Sequence, residues 1–249
     1  MIKKILLALL VVIIILIVPK AYFYYGEVTK AMSEDPLVWA QDIADFETDV
    51  AANGYPENAV VFVGSSSIRL WSSLKEDMAP IPVIQRGFGG AKLGDVDYYA
   101  KRLVNAYKPA AVVVFIGTND ISDEMAHTPA QLAETYRSFV AKVRSDQPRV
   151  PIYYIGITPS VLKWDVWDRG QATNKLIRDF IEQDNNHVFI DTSVALLEEL
   201  GEPNPENYVF DGSPWGGLHL SEKGYAIWNR IIKPHVIEFA ISTPEAEAG

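Results

Sequence analysis

The chain has 249 residues, no cysteine, and 32 acidic against 22 basic side chains, giving a net charge of −10. Without cysteine there is no disulfide, no thiolate nucleophile and no thiolate metal site, and the acidic balance argues against nucleic acid or anionic lipid as the main partner. With 49 % apolar residues it is not a disordered chain, and it is long enough for one domain with a sizeable core.

The chain opens with a basic head, Met1-Ile2-Lys3-Lys4, followed by an unbroken apolar run from Ile5 to Val18. Pro19-Lys20-Ala21 and the aromatic cluster Tyr22-Phe23-Tyr24-Tyr25 come next. A basic head before a short apolar run has the shape of an export signal, and no small-x-small cleavage site follows it. Residues 1–26 are therefore expected to be an uncleaved signal anchor, with the aromatic rings and Lys20 at the interface and the domain outside the cytoplasmic membrane. As a helix the run spans ~21 Å, less than the ~30 Å hydrocarbon core, so flanking residues complete the span. A cleaved signal and a secreted domain is the alternative. A buried core helix is disfavoured because nothing in the run is polar.

Residues 27–35 read as a polar tether, 36–241 as the domain, and 242–249 as a flexible tail rich in alanine and glutamate. Within the domain, helical and strand patterns alternate. Residues 37–52 read as an amphipathic helix ended by Asn53-Gly54. Residues 59–63 form a short apolar run closed by Gly64, as expected of a buried parallel strand. Residues 82–85 form a weaker strand, 95–107 a helix, and 110–116 a β-branched apolar strand. A helix over 129–146 starts with Pro129. A strand over 152–157, a helix over 170–184 and a strand over 188–190 follow, and the last helix covers 221–240, opened by Ser221. Strands separated by helices imply a three-layer α/β/α fold around a parallel sheet of about five strands. In such sheets a ligand sits beyond the carboxyl ends of the strands.

Three separated segments fall on that rim. Gly64-Ser65-Ser66-Ser67 follows the first strand, Gly117-Thr118-Asn119-Asp120 follows the third, and Leu218-His219-Leu220-Ser221 precedes the last helix. The chain has four histidines. His187 enters a strand and His235 lies inside a helix, so both read as structural or surface residues. His127 sits in a loop and could approach the rim. His219, in a glycine-rich loop directly before a helix, is the preferred proton shuttle. A serine hydroxyl is inert until a base takes its proton, and Ser66 opens a short helical segment where its N–H can face the anion it creates. A triple serine also serves simply as a helix cap. Gly87-Phe88-Gly89-Gly90 lets backbone N–H groups approach a ligand, or makes an ordinary turn. The Asn119 amide can donate to an oxyanion, or close an Asx turn.

With these segments in order, the chain resembles the SGNH hydrolases, the GDSL-type esterases and lipases, over roughly residues 58–235. Val61-Phe62-Val63-Gly64-Ser65-Ser66 resembles the first family block. Gly90 matches the second by its place in Arg86-Gly87-Phe88-Gly89-Gly90, Asn119 the third, and His219 the last. The resemblance implies a flavodoxin-like fold and nucleophilic serine catalysis without a metal or other cofactor. It also implies an oxyanion hole of Ser66, Gly90 and Asn119. Two positions depart from the family. Ser65 stands where aspartate is usual. Gly216 stands where an aspartate three residues before the histidine usually holds the imidazole. Asp211 could replace it if Ser213-Pro214-Trp215 bulges. A backbone carbonyl near Trp215 or Gly216, solvent, or another carboxylate is the alternative partner of the ring.

A GxSxG elbow is absent because Ile68 stands where its last glycine would be, and Lys92 breaks a dinucleotide fingerprint. The expected activity is hydrolysis of carboxylic esters, of short acyl or acetyl groups, on a small-molecule or glycan substrate. An envelope-sugar acyltransferase or deacetylase on the same site and a non-catalytic binding domain are the rivals. Trp164, Trp167 and Trp215 lie near the rim motifs as a sugar platform, an acyl pocket or ordinary packing.

Overall fold

The computed structural model describes residues 2–122 and 127–242. The tail expected at 242–249 lies outside the described residues from 243 on. Helix α1 covers Ile2–Met32 and α2 covers Ala40–Asn53. The domain then alternates: β1 Val60–Gly64, α3 Ser66–Arg69, α4 Leu74–Met78, β2 Val83–Gly87, α5 Leu93–Tyr98, α6 Ala100–Leu103, β3 Ala111–Phe115, α7 Pro129–Arg144, β4 Ile152–Ile155, α8 Trp167–Ile181, β5 His187–Ile190 and α9 Glu222–Ser242.

All strand pairs are parallel, and the sheet order is β2-β1-β3-β4-β5. The strand order reverses between β1 and β3, which makes the crevice beyond their carboxyl ends the expected ligand position. Gly64 at the end of β1 is level with Gly87 of β2 and Phe115 of β3, so three strands stop on one rim.

Side chains alternate across the sheet. Val61, Val63, Val112 and Val114 enter the core shared with α2, α5, α7 and α8. Val60, Phe62, Val113 and Phe115 enter the opposite core, closed by Trp71, Trp228, Ile232 and Val236. This is the three-layer α/β/α arrangement read from the pattern. In α7 the buried positions Leu132, Tyr136, Phe139 and Val143 follow helical spacing, and Thr128 with Gln131 forms the capping box before Pro129.

Three of the differences from the pattern have a visible physical cause. The helix expected over 95–107 is broken into α5, α6 and a turn at Asn105–Tyr107. Asn105 sets the break, because its Nδ2 donates to the carbonyls of Lys142 and Val143 at the end of α7. Strand β4 stops at Ile155 rather than 157, because Asn174 of α8 takes over the backbone of Ile157, bonding both its N–H and its carbonyl at 2.8 Å. Residues 27–32, where the sequence suggests a tether, continue α1 and are packed on the domain. Lys30 pairs with Asp42 at 2.8 Å and lies over the Trp39 ring. Among the described residues, no helix is long and apolar enough to cross a membrane.

Candidate active site

The turn after β1 needs glycine. Gly64 has φ +153°, and a Cβ there would lie 1.9 Å from the Phe115 carbonyl oxygen. The close approach seats the next residues on β3, where the Ser65 N–H donates to that same carbonyl at 3.2 Å. The Ser65 carbonyl accepts from Ile68 and Arg69 and so opens α3, with Ser66 at its first position. Tyr225 of α9 donates to the Ser67 carbonyl at 2.8 Å and pins this segment from the other side. Ser65, the substituted aspartate position, is buried and acts here through its backbone.

The histidine loop is held by backbone bonds to residues 207–209. The Val209 N–H donates to the His219 carbonyl, the Gly217 N–H to the Val209 carbonyl, and the Ser221 N–H to the Asn207 carbonyl. This framework brings His219 Nε2 to 3.0 Å from Ser66 Oγ. Burial, then the nearby Arg69 guanidinium, lowers the His219 pKa to about 4; Asp211 opposes the shift and Lys163 adds to it. The imidazole is thus neutral at pH 7, and a neutral ring with its proton on Nδ1 presents Nε2 as an acceptor to the serine hydroxyl.

Asp211 does not hold that ring. It is exposed, and its Oδ1 accepts from the Ser213 N–H at 2.9 Å. Its hydrogen bonds to Ser213 lower its pKa. Residues 213–216 form a turn, the Gly216 N–H donating to the Ser213 carbonyl, and the Asp211 carboxylate is held in its own Asx turn. No backbone carbonyl among the described residues accepts from the ring either. Among the described residues, the side chain of His219 has one hydrogen-bond partner, Ser66. Among the described residues, the arrangement is a serine–histidine pair without a carboxylate orienter.

The donors lie on the neighbouring loop. Gly90 has φ +72°, a conformation glycine adopts without strain. The N–H groups of Ser66 and Gly90 have no acceptor among the described residues. Asn119 Nδ2 donates to the Ala91 carbonyl at 2.9 Å, which ties the asparagine to the glycine loop and uses one of its two amide protons. Asp120 completes the tie by accepting the Leu93 N–H at 3.0 Å. Burial, countered by that bond, raises the Asp120 pKa to about 7.

Two cations near the site were not singled out from sequence. Arg69 ends the short helix that Ser66 begins, three residues on, a spacing that already places it on the same turn. Lys163 bonds Ser122 Oγ, and burial lowers its pKa to about 8. Of the three tryptophans, Trp167 is buried and Trp164 packs against the same core. Trp215 alone approaches the site, its ring 6.4 Å from that of His219. His187 is buried with Nε2 2.6 Å from the Tyr136 hydroxyl, away from the rim.

The GDSL-like Lipase/Acylhydrolase family model matches residues 52–227. A comparison with curated proteins finds no match. Among solved structures, a Streptococcus pneumonia protein provisionally described as a platelet activating factor superposes with a TM-score of 0.68 at 18 % identity, covering 79 % of this chain and 92 % of that one. A GDSL-like lipase from Bacteroides thetaiotaomicron gives 0.65 at 20 %, covering 79 % and 97 %. A catalytic mutant of Axe2, an acetylxylan esterase from Geobacillus stearothermophilus, gives 0.59 at 19 %, covering 73 % and 95 %. At these identities the likeness is one of fold.

Proposed function

The chain belongs to the GDSL-like lipase/acylhydrolase family and is a hydrolase acting on ester bonds; on that premise we propose that it cleaves short acyl esters through an acyl-enzyme on Ser66. The observation that carries this reading is the 3.0 Å contact between Ser66 Oγ and a neutral His219 Nε2.

His219 Nε2 takes the hydroxyl proton as Ser66 Oγ attacks the ester carbonyl carbon. The oxyanion receives the N–H groups of Ser66 and Gly90 and the second amide proton of Asn119. The imidazolium then returns its proton to the leaving alcohol. A water, deprotonated by the same nitrogen, attacks the acyl carbon, and the acid leaves with Ser66 restored. With no carboxylate among the described residues on Nδ1, the imidazolium is stabilised by solvent, the developing negative charge and the nearby Asp211 field.

Ser66 is 7 % exposed, which favours a small acyl group over a bulky one. Trp215 beside His219 offers a flat apolar face for the alcohol part, as a sugar ring would use. A sugar acceptor in place of water would make the same site an acyltransferase. The test is product analysis with p-nitrophenyl acetate, with and without an oligosaccharide acceptor. Free acetate in wild type and none in Ser66→Ala support the hydrolase, whereas acetylated sugar supports the transferase.

The basic head and the apolar run 5–18 support a signal anchor that places the domain on the extracytoplasmic side. Membrane fractionation of the full chain tests this: recovery in the soluble fraction at full length contradicts it.

A further inference from the structure

Helix α1 touches three of the segments that carry candidate site residues, those of Ser66, Gly90 and His219. At Tyr24 its ring packs edge-on to Trp215, with centroids 5.3 Å apart, and Trp215 in turn stands beside His219. Three residues on, Glu27 Oε2 lies 3.4 Å from Arg69 Nη1, on the short helix that begins with Ser66. The same Glu27 oxygen would be 2.7 Å from a Cβ on Gly89. One turn further, the Ala31 Cβ would be 2.7 Å from a Cβ on Gly90. Beyond the helix, the Ser33 carbonyl and Glu34 receive Lys92 Nζ.

Tyr24, Glu27 and Ala31 share one helical face. Tyr22, Phe23 and Tyr25 beside them are exposed, so this face alone is committed to the domain. The helix therefore runs from the histidine loop to the oxyanion loop, the two segments that flank Ser66. Glycine at 90 permits its close approach, because a Cβ there would strike Ala31, whereas at 89 a Cβ would meet the flexible ends of Arg69 and Glu27.

We infer that Tyr24, Glu27 and Ala31 form a wall of the acyl site and determine which esters fit. This deepens the esterase reading and rests on it. The wall closes one side of a nearly covered serine, so an acetyl-sized group is accommodated and a long acyl chain meets the helix. Glu27 contributes by holding Arg69 against the loop, and Tyr24 by backing Trp215.

The experiment uses the full chain and its Tyr24→Ala/Glu27→Ala double variant, with p-nitrophenyl acetate and p-nitrophenyl octanoate. Opening the wall raises the octanoate-to-acetate ratio of kcat/KM about tenfold or more, chiefly through a lower octanoate KM, since each methylene admitted to an apolar pocket is worth about tenfold or more. Tyr24→Ala alone, which leaves the ion pair intact, shifts the ratio in the same direction. An unchanged ratio, or equal loss on both esters, overturns the wall. Fluorophosphonate labelling separates the two levels. A label on Ser66 with an unchanged ratio removes the wall and leaves the esterase. No label and no acetate hydrolysis in wild type removes both.

Discussion

Ser66 Oγ and His219 Nε2 lie 3.0 Å apart although 153 residues separate them in sequence. The contact is made by two independent devices. A glycine turn at the end of β1 presents the serine, and backbone bonds to residues 207–209 present the histidine. Ser66→Ala is expected to abolish turnover of p-nitrophenyl acetate while leaving the thermal melt within a few degrees of wild type, since no other described residue hydrogen-bonds its hydroxyl. Asn119→Ala is expected to lower kcat by about 10²–10³ with a small change in KM, as loss of one oxyanion donor does.

Asp211 offers a sharper test, because the sequence points to it and the geometry does not. Where a carboxylate does hold the catalytic imidazole, its amide costs about 10⁴ in kcat. Asp211 bonds Ser213 instead, so Asp211→Asn is expected to leave kcat within about tenfold of wild type. A loss of several thousandfold would mean that the carboxylate swings onto Nδ1 during turnover.

The pH profile follows from the low His219 pKa. The base must be neutral, and its pKa lies near 4 rather than 6.5, so kcat/KM should hold through pH 5 and fall only as pH drops through about 4. Burial is the first cause and Arg69 the second, with Asp211 opposing and Lys163 assisting. Arg69→Met removes one depressing charge, so the acid limb should move to higher pH. A limb that stays near 6.5 in wild type would mean that the ring is better solvated than the structure indicates.

Acid stability involves a different histidine. Burial first, then Arg144, lowers the His187 pKa to about 3, with Asp184 opposing. Its folded value lies below the unfolded one, so the unfolded chain takes up the proton first. Stability should therefore fall as pH drops from about 6.5 toward 3. His187→Gln should flatten that part of the curve, measured as the urea midpoint against pH.

Gly64→Ala is expected to destabilise the domain by more than ~2 kcal/mol, because the new methyl has a backbone carbonyl rather than a yielding side chain in its way. Chemical denaturation measures it.

Much of this was legible in the chain because parallel strands buried on both faces read as plain apolar runs, and residues 60–64 and 111–115 are such runs. Ser66 and Asn119 follow those two strands and His219 precedes the last helix, so the rim follows once the sheet does. What the sequence hides are contacts made by polar side chains with distant backbone. Nothing local shows that Asn105 will bond the end of α7 and split a helix, or that Asn174 will end β4. Asp211 is hidden for the same reason, since one N–H two residues on captures its carboxylate. Residues 27–32 read as a tether because their partners, Asp42 and Arg69, are apparent only after folding.

Whether His219 activates Ser66 is read without a known substrate by fluorophosphonate labelling of the full chain, with the modified peptide mapped by mass spectrometry. One label is expected, on Ser66, and lost in His219→Ala. A label elsewhere, one that survives that substitution, or none on the folded protein would contradict it.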